Sequence, residues 1–268
     1  MGKSTLINCI ARSFLAENKQ VGIIAIDPTS PFSGGSLLGD RERMKEIDGN
    51  EHLFIRSAAT RGHTGGIAKA TRDFIKIMEA MGKEVIILET VGVGQNQVSV
   101  IQVADTIVLT VIPGMGDYLQ SLKAGVLEIG DIFVVNKSDR EGANRTVSDL
   151  KAFIHLSCHQ NEWKPPIMKV IATTGQGIEE LMAEIYRHRE YLTQNNLMIS
   201  KRESTMKSEI LEIIQSRILR HIADQTLLND RLNKYVQQIC DGLMDPYQAA
   251  DAILRESGII QWIETDEP

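Results

Sequence analysis

At 268 residues the chain has room for one large domain, or for one domain with an appendage. Its 29 Lys and Arg against 35 Asp and Glu leave a net charge of -6, which argues against nucleic acid or an anionic membrane as a partner, since both select a basic face. Hydrophobic residues make up 43%, enough for a sizeable core, yet no apolar run approaches the ~20 residues that cross a bilayer.

Up to about residue 190, short apolar runs alternate with helical patterns. In chain order they predict a helix over Leu6 to Glu17 and strands over Val21 to Ile26 and Leu53 to Ile55. A helix over Ile67 to Met81 follows, then strands over Val85 to Leu88 and Thr106 to Ile112. A helix over Tyr118 to Glu128 leads to a strand over Ile132 to Val135 and a helix over Val147 to His155. A strand over Ile167 to Ile171 and a helix over Ile178 to Tyr191 complete the series. Apolar runs without alternation are strands covered on both faces, and intervening helices are parallel crossovers. The expected architecture is a doubly wound α/β sheet over residues 1–192. Residues 193–204 read as a linker, with Gln194 to Ser200 polar and loop-like, and residues 205–268 as a helical extension. There, Ile210, Ile213, Ile214, Ile218 and Ile222 recur at helical spacing, and a second helix carries Leu232, Val236, Ile239 and Leu243. Asp245-Pro246 supplies a cap and first-turn proline for a third helix, Tyr247 to Glu256. These helices carry more apolar surface than a lone hairpin can hide, so they pack on the sheet domain or on a second copy.

Cys9, Cys158 and Cys240 are scattered and odd in number, which reads as reduced thiols. The amino terminus has no signal-peptide hydrophobic region, so the expected location is the cytoplasm. Arg187, His188 and Arg189 read as a solvated helix face. Trp163 with Pro165-Pro166 reads as a loop returning to the sheet, and His155, Cys158 and His159 as ordinary helix residues rather than metal ligands.

Chemistry concentrates where predicted strands end. Gly2-Lys3-Ser4-Thr5 matches the second half of G-x-x-x-x-G-K-[ST], in which backbone N–H groups curl around phosphate at a helix start. Lys3 would reach the β and γ phosphates and Ser4 would ligate Mg²⁺. A capped ordinary helix start fits the same residues. Asp27, at the end of a strand one crossover away, can hold a Mg²⁺-bound water, although Asp27-Pro28 also fits a plain turn. Glu89-Thr90-Val91-Gly92 ends another strand, as an acid for the metal shell followed by a glycine whose N–H can meet the γ-phosphate. The Gly-rich stretch Ser33 to Asp40 suits a switch, with Asp40 a further metal candidate or a solvated turn residue. Gln95 is a candidate to orient the attacking water.

Asn136-Lys137-Ser138-Asp139 is an N-K-x-D box at the end of a buried strand. A carboxylate offers two acceptors, matching the N1–H and N2–H₂ donors of guanine, whereas adenine would leave Asp139 unpaired. Lys137 would lie along the base and Asn136 would brace the loops. Ala172-Thr173, after the next strand, would supply a backbone donor to the guanine oxygen.

With these residues in place, Asp27-Pro28-Thr29-Ser30-Pro31-Phe32-Ser33-Gly34-Gly35-Ser36-Leu37-Leu38-Gly39-Asp40-Arg41 resembles the signature of the MeaB/ArgK/MMAA family. These are G-protein chaperones of adenosylcobalamin-dependent methylmalonyl-CoA mutase. Arg61-Gly62-His63-Thr64-Gly65-Gly66, Glu89 to Gln95, the N-K-S-D box and Asp245-Pro246-Tyr247 extend the likeness over nearly the whole chain. The resemblance implies a P-loop GTPase of the SIMIBI class that uses GTP and Mg²⁺. It also implies a homodimer formed partly through the C-terminal helices, and a role in gating cofactor delivery to the mutase and protecting it. By match, Lys3, Ser4, Asp27, Asp40 and Glu89 would hold phosphates and metal. Asp117, Gln120 and Lys123 in the run Gly116 to Lys123 would couple nucleotide state to the mutase. The family also carries a first strand and a complete P-loop ahead of the position of Gly2. For this chain the expectation is a sheet with an unfilled central slot and about half the phosphate N–H donors. Gln97 stands where an acid is expected. Two other readings stay open: a metallocentre-insertion GTPase, and a nonhydrolysing partner-binding module.

Overall fold

Six apolar runs form parallel strands, and the candidate residues Asp27, Glu89, Asn136 and Ala172 lie at or just beyond the carboxyl ends of four of them. The computed structural model describes residues 2–27, 49–59, 66–90, 103–114, 129–157, 163–223 and 228–256, in two units, Met1–Arg202 and Glu203–Pro268. In the first unit β1 (Val21–Asp27) lies between β2 (Leu53–Ala59) and β3 (Val85–Thr90). A second sheet places β5 (Ile132–Asn136) between β4 (Val108–Val111) and β6 (Ile167–Val170). Every pairing is parallel, as the unbroken apolar runs require. The expected single sheet is therefore two three-stranded sheets among the described residues.

Helices cover both faces. Leu6, Ile7, Ile10, Ala11 and Phe14 of α1 (Lys3–Ala16) share one core cluster with strand residues of both sheets. Leu181 and Met182 of the helix Ile178–Gln194 join the same cluster. On the other face α2 (Gly66–Ala80) packs Met78 against Ile24 and Ile26, and α3 (Ala143–Ser157) packs Leu150 against Phe133 and Val135. This is the doubly wound α/β architecture expected from the sequence. The predicted helix over Tyr118 to Glu128 lies outside the described residues.

The helix Ile178–Gln194, α4, corrects one reading. His188 is 2% exposed rather than solvated, because it falls on the inward stripe with Leu181 and Leu192. Its Nδ1 lies 2.9 Å from the Thr106 hydroxyl and its Nε2 3.4 Å from Asp131 Oδ1. A neutral ring donating from Nε2 to Asp131 accepts from Thr106 at Nδ1. Trp163 is likewise more than a loop residue: its indole N–H donates to the Asp131 carbonyl at 2.8 Å, and its ring centre lies 4.7 Å from that of His188. Burial pulls the His188 pKa down, with Asp131 opposing. Burial also pushes the Asp131 carboxyl up, against His188 and the Ile107 N–H. On acidification the unfolded chain therefore takes the histidine proton first, and stability is expected to decline as pH falls below the ordinary value of 6.5. Asp131 acts in the opposite sense, between its raised value and its ordinary 3.8. Denaturant midpoints across that range check the first decline. His188→Ala should remove it and lower stability by about 2–3 kcal/mol.

A second correction concerns residues 194–200. Only Asn195 and Asn196 form a turn, Asn196 with φ of 56°, and α5 begins at Leu197 and runs to Ala223. The polar residues Asn195 and Asn196 account for the turn, and Leu197-Met198-Ile199 already belongs to the helix. Within the second unit, Tyr235 of α6 (Leu228–Cys240) is buried and donates to Glu256 of α7 (Pro246–Glu256) at 2.7 Å. Leu243 falls beyond α6. The expected cap of α7 is a reciprocal box: Asp245 Oδ1 accepts from the Gln248 N–H at 2.9 Å, and Gln248 Oε1 from the Asp245 N–H at 3.1 Å. Ile210, Leu211, Ile214 and Leu219 of α5 are 47% to 65% exposed.

Candidate functional site

Parallel strands deliver their carboxyl ends to one edge of a sheet, where α/β proteins bind ligands. The amino end of α1 touches that edge in both sheets. Ser4 donates its hydroxyl to Glu89 Oε1 at 3.0 Å, and the Lys3 ammonium donates to the Thr90 carbonyl. Glu89 is 5% exposed. Burial lowers the Lys3 pKa, while the Glu89 charge opposes the shift. Gly2 opens α1 in the left-handed region with φ of 72°, and no side chain caps the helix. No acidic residue stands in the first turn. The first turn itself therefore offers free-standing N–H groups and the positive end of the helix dipole to an anion, beside the Glu89 carboxylate that Ser4 engages.

Asn136 joins this end of α1 to the loops after β5 and β6. It is 1% exposed and uses both ends of its amide. Nδ2 donates to the Gly2 carbonyl at 3.2 Å, while Oδ1 accepts from the N–H groups of Lys137 at 2.8 Å and Ala172 at 3.2 Å. One side chain thus fixes the start of α1, the loop after β5 and the turn after β6. The Asn136 side chain has a definite geometry between these three segments, and it takes up the Ala172 N–H. Gly2 is also needed for close approach, since a Cβ there would stand 2.8 Å from Asn136 Nδ2. Gly2→Ala combines that clash with an unfavourable positive φ. It is expected to lower stability by about 1–3 kcal/mol, read by chemical denaturation.

The loops after β5 and β6 are held in specific conformations. Lys137 adopts φ of 56°, uncommon for a residue with a Cβ, and its carbonyl accepts from Arg140 at 3.1 Å. The turn after β6 closes through Ile171 N–H to the Gln176 carbonyl at 2.9 Å. Gly177, with φ of 80°, ends the turn where a Cβ would meet the Lys169 carbonyl at 2.3 Å. Asp139 and Thr173 are exposed on these loops, and Thr5 is exposed on α1.

Gly2, Lys3, Ser4, Glu89, Asn136, Lys137 and Ala172 are therefore brought together by direct contact. The Asp27 backbone ends β1 at the same edge of its sheet. Asp40, Gly92, Gln95, Asp117, Gln120 and Lys123 lie outside the described residues. So do the Gly-rich stretch, Arg41, Arg61, Cys158 and His159. Two participants were not expected from the sequence: Thr90, through its carbonyl, and Cys9, whose thiol donates to the Ala172 carbonyl at 3.1 Å. Cys9 ties α1 to the turn after β6 as well. No described helix is long and apolar enough to cross a membrane.

The family model described as "Methylmalonyl Co-A mutase-associated GTPase MeaB" matches residues 1–226. A Pyrococcus abyssi protein named as a GTPase is 44% identical over 258 residues, 95% of this chain and 79% of its own length. GTPase ArgK of Escherichia coli is 32% identical over 243 residues, 88% of this chain and 72% of its own. The mouse methylmalonic aciduria type A homolog, mitochondrial, is 31% identical over 258 residues, 95% of this chain and 62% of its own. A crystal structure of a LAO/AO transport system kinase matches with a TM-score of 0.70 at 23% identity, covering 97% of this chain and 78% of that one. That likeness bears on the fold.

Proposed function

The chain belongs to the MeaB family of methylmalonyl-CoA mutase-associated GTPases, and we propose that it is a Mg²⁺-dependent GTP-binding and GTP-hydrolysing chaperone of an adenosylcobalamin-dependent acyl-CoA mutase. In this reading it gates cofactor delivery to methylmalonyl-CoA mutase or a close relative and protects that enzyme. The observation that carries the reading is the Asn136 brace, which makes the phosphate end and the base end one continuous site.

The donor set fits the ligands. The Ser4 hydroxyl and Glu89 carboxylate are oxygen donors 3.0 Å apart, the chemistry Mg²⁺ selects, with Asp27 and Asp40 as further acids. When bound, Mg²⁺ neutralises charge on the phosphates. Glu89 orients the Ser4 hydroxyl, the α1 N–H groups hold phosphate oxygens, and Lys3 moves from the Thr90 carbonyl to the phosphates. Asp139 selects guanine, Lys137 lies along the base, and Thr173 supplies the backbone donor to the guanine oxygen. Gly92 and Gln95 serve the γ-phosphate and the attacking water, and Asp117, Gln120 and Lys123 carry the nucleotide state to the mutase. The exposed apolar residues of the second unit support a homodimer through the C-terminal helices. The expected setting is the cytoplasm.

The test measures GTP turnover with and without the mutase, and mutase binding in GDP, in a nonhydrolysable GTP analogue and without nucleotide. Turnover raised by the mutase, with affinity that differs between nucleotide states, is the expected result. Binding indifferent to nucleotide, with no turnover, would identify a nonhydrolysing module and overturn the proposal.

A further inference from the structure

The turn after β6 is closed from within by Ile171 and held from outside through Ala172. The Ile171 N–H donates to the Gln176 carbonyl at 2.9 Å, and the Ile171 carbonyl accepts from the Thr174 and Gly175 N–H groups at 3.1 and 3.0 Å. Ala172, 5% exposed, is tied to two other segments. Its N–H donates to Asn136 Oδ1 at 3.2 Å, and its carbonyl accepts from the Cys9 thiol of α1 at 3.1 Å. Cys9 stands one helical turn after Thr5, on the same face of α1, so the face that starts beside Ser4 meets this turn. It packs beside the core cluster that contains Ile10 and Ala172, which keeps the thiol at the carbonyl.

We propose that Cys9 is a positioning residue for guanine recognition, its thiol setting which side of the Ala172-Thr173 peptide is turned to the base. The inference rests on the guanine-nucleotide reading, and Cys9 acts on the base only through Thr173. A trans peptide is planar, and its C=O and N–H point in opposite directions. With the Ala172 carbonyl drawn to α1, the Thr173 N–H is turned away from that helix, and position 6 of the base meets a donor. Guanine carries an acceptor oxygen there, whereas adenine carries an amine, which a backbone N–H repels. A peptide turned over would present its carbonyl and favour the amine. The Ala172 N–H belongs to the preceding peptide, so the Asn136 bond does not set this plane by itself. Thr173 and Thr174 are exposed, so packing does little to hold it. Asp139 and Cys9 thus govern different edges of one base, Asp139 at N1 and N2 and Cys9, through Thr173, at O6.

The experiment titrates fluorescent GDP, with Mg²⁺, into the chain and its Cys9→Ala and Cys9→Ser variants, using GDP, 6-thio-GDP and IDP as competitors. Circular dichroism and urea unfolding first establish that all three proteins are folded. 6-Thio-GDP weakens the acceptor at position 6, and IDP removes the amine that faces Asp139. Cys9→Ala is expected to lower GDP affinity about five- to tenfold. Its preference for GDP over 6-thio-GDP should shrink at least about threefold, while its preference for GDP over IDP stays within about twofold. Cys9→Ser keeps a donor and should restore most of the 6-thio-GDP preference. Three affinities that fall by one common factor in Cys9→Ala, or do not change, overturn the proposal, since a packing role moves all three together. So does a Cys9→Ser protein that behaves as Cys9→Ala, or an unsubstituted chain that does not distinguish GDP from 6-thio-GDP. Those outcomes leave the guanine-nucleotide reading standing. No GDP binding by the folded, unsubstituted chain sinks that reading, and the role of Cys9 with it.

Discussion

Asn136→Ala is expected to weaken guanine nucleotide binding by about a hundredfold or more and to lower stability by about 2–4 kcal/mol. The side chain is 1% exposed and serves three backbone groups from separate segments. Truncation leaves the Gly2 carbonyl and the Lys137 and Ala172 N–H groups without that partner in a buried setting, the expensive way to lose a hydrogen bond. It also releases the start of α1 from the base loops, so phosphate and base contacts no longer act on one rigid ligand pose. Asn136→Asp keeps the acceptor for the two N–H groups but loses the donor to Gly2, and should fall between the two. Fluorescent-GDP titration and urea unfolding measure both effects. Full nucleotide affinity in a destabilised Asn136→Ala protein would show that the brace serves folding alone.

Asp139→Asn separates the same two quantities in the opposite way. Asp139 is exposed, so stability should change by no more than about 0.5 kcal/mol. GDP binding should nevertheless fall by about a hundredfold or more, because an amide has one acceptor and one donor facing two guanine donors. Xanthine carries a carbonyl where guanine carries the N2 amine, so its nucleotide matches the amide and should bind the variant better than GDP does. Competition of GDP against XDP on both proteins checks this. An unchanged GDP affinity would place the base elsewhere.

The edge of each sheet was legible because the signals are local. Unbroken apolar runs ending in an acid or amide marked β1, β3 and β5, and the structure extends these strands only to Asp27, Thr90 and Asn136. Partners far apart in the chain were not legible. Cys9 meets Ala172 across 163 residues and the Ala172 N–H meets Asn136 across 36, and no spacing rule reports either contact. His188 was misread for another reason. Its flanking arginines suggest a solvated face, but the helical stripe through Leu181 and Leu192 outranks them, since burial follows the period and not the neighbours in sequence. At Gln194 to Ser200 the polar start Gln194-Asn195-Asn196 was extended into a loop, whereas the apolar Leu197-Met198-Ile199 already opens α5.

The central claim is selectivity for guanine nucleotide at a site anchored by Gly2, Lys3, Ser4 and the Asn136 brace. A titration of fluorescent GDP into the folded chain, with Mg²⁺ and with GTP or ATP as competitor, tests it most directly. The account predicts displacement by GTP at least about a hundredfold more effective than by ATP, with weaker binding on chelation of Mg²⁺. Equal displacement by ATP, or no guanine nucleotide binding by the folded protein, would contradict it.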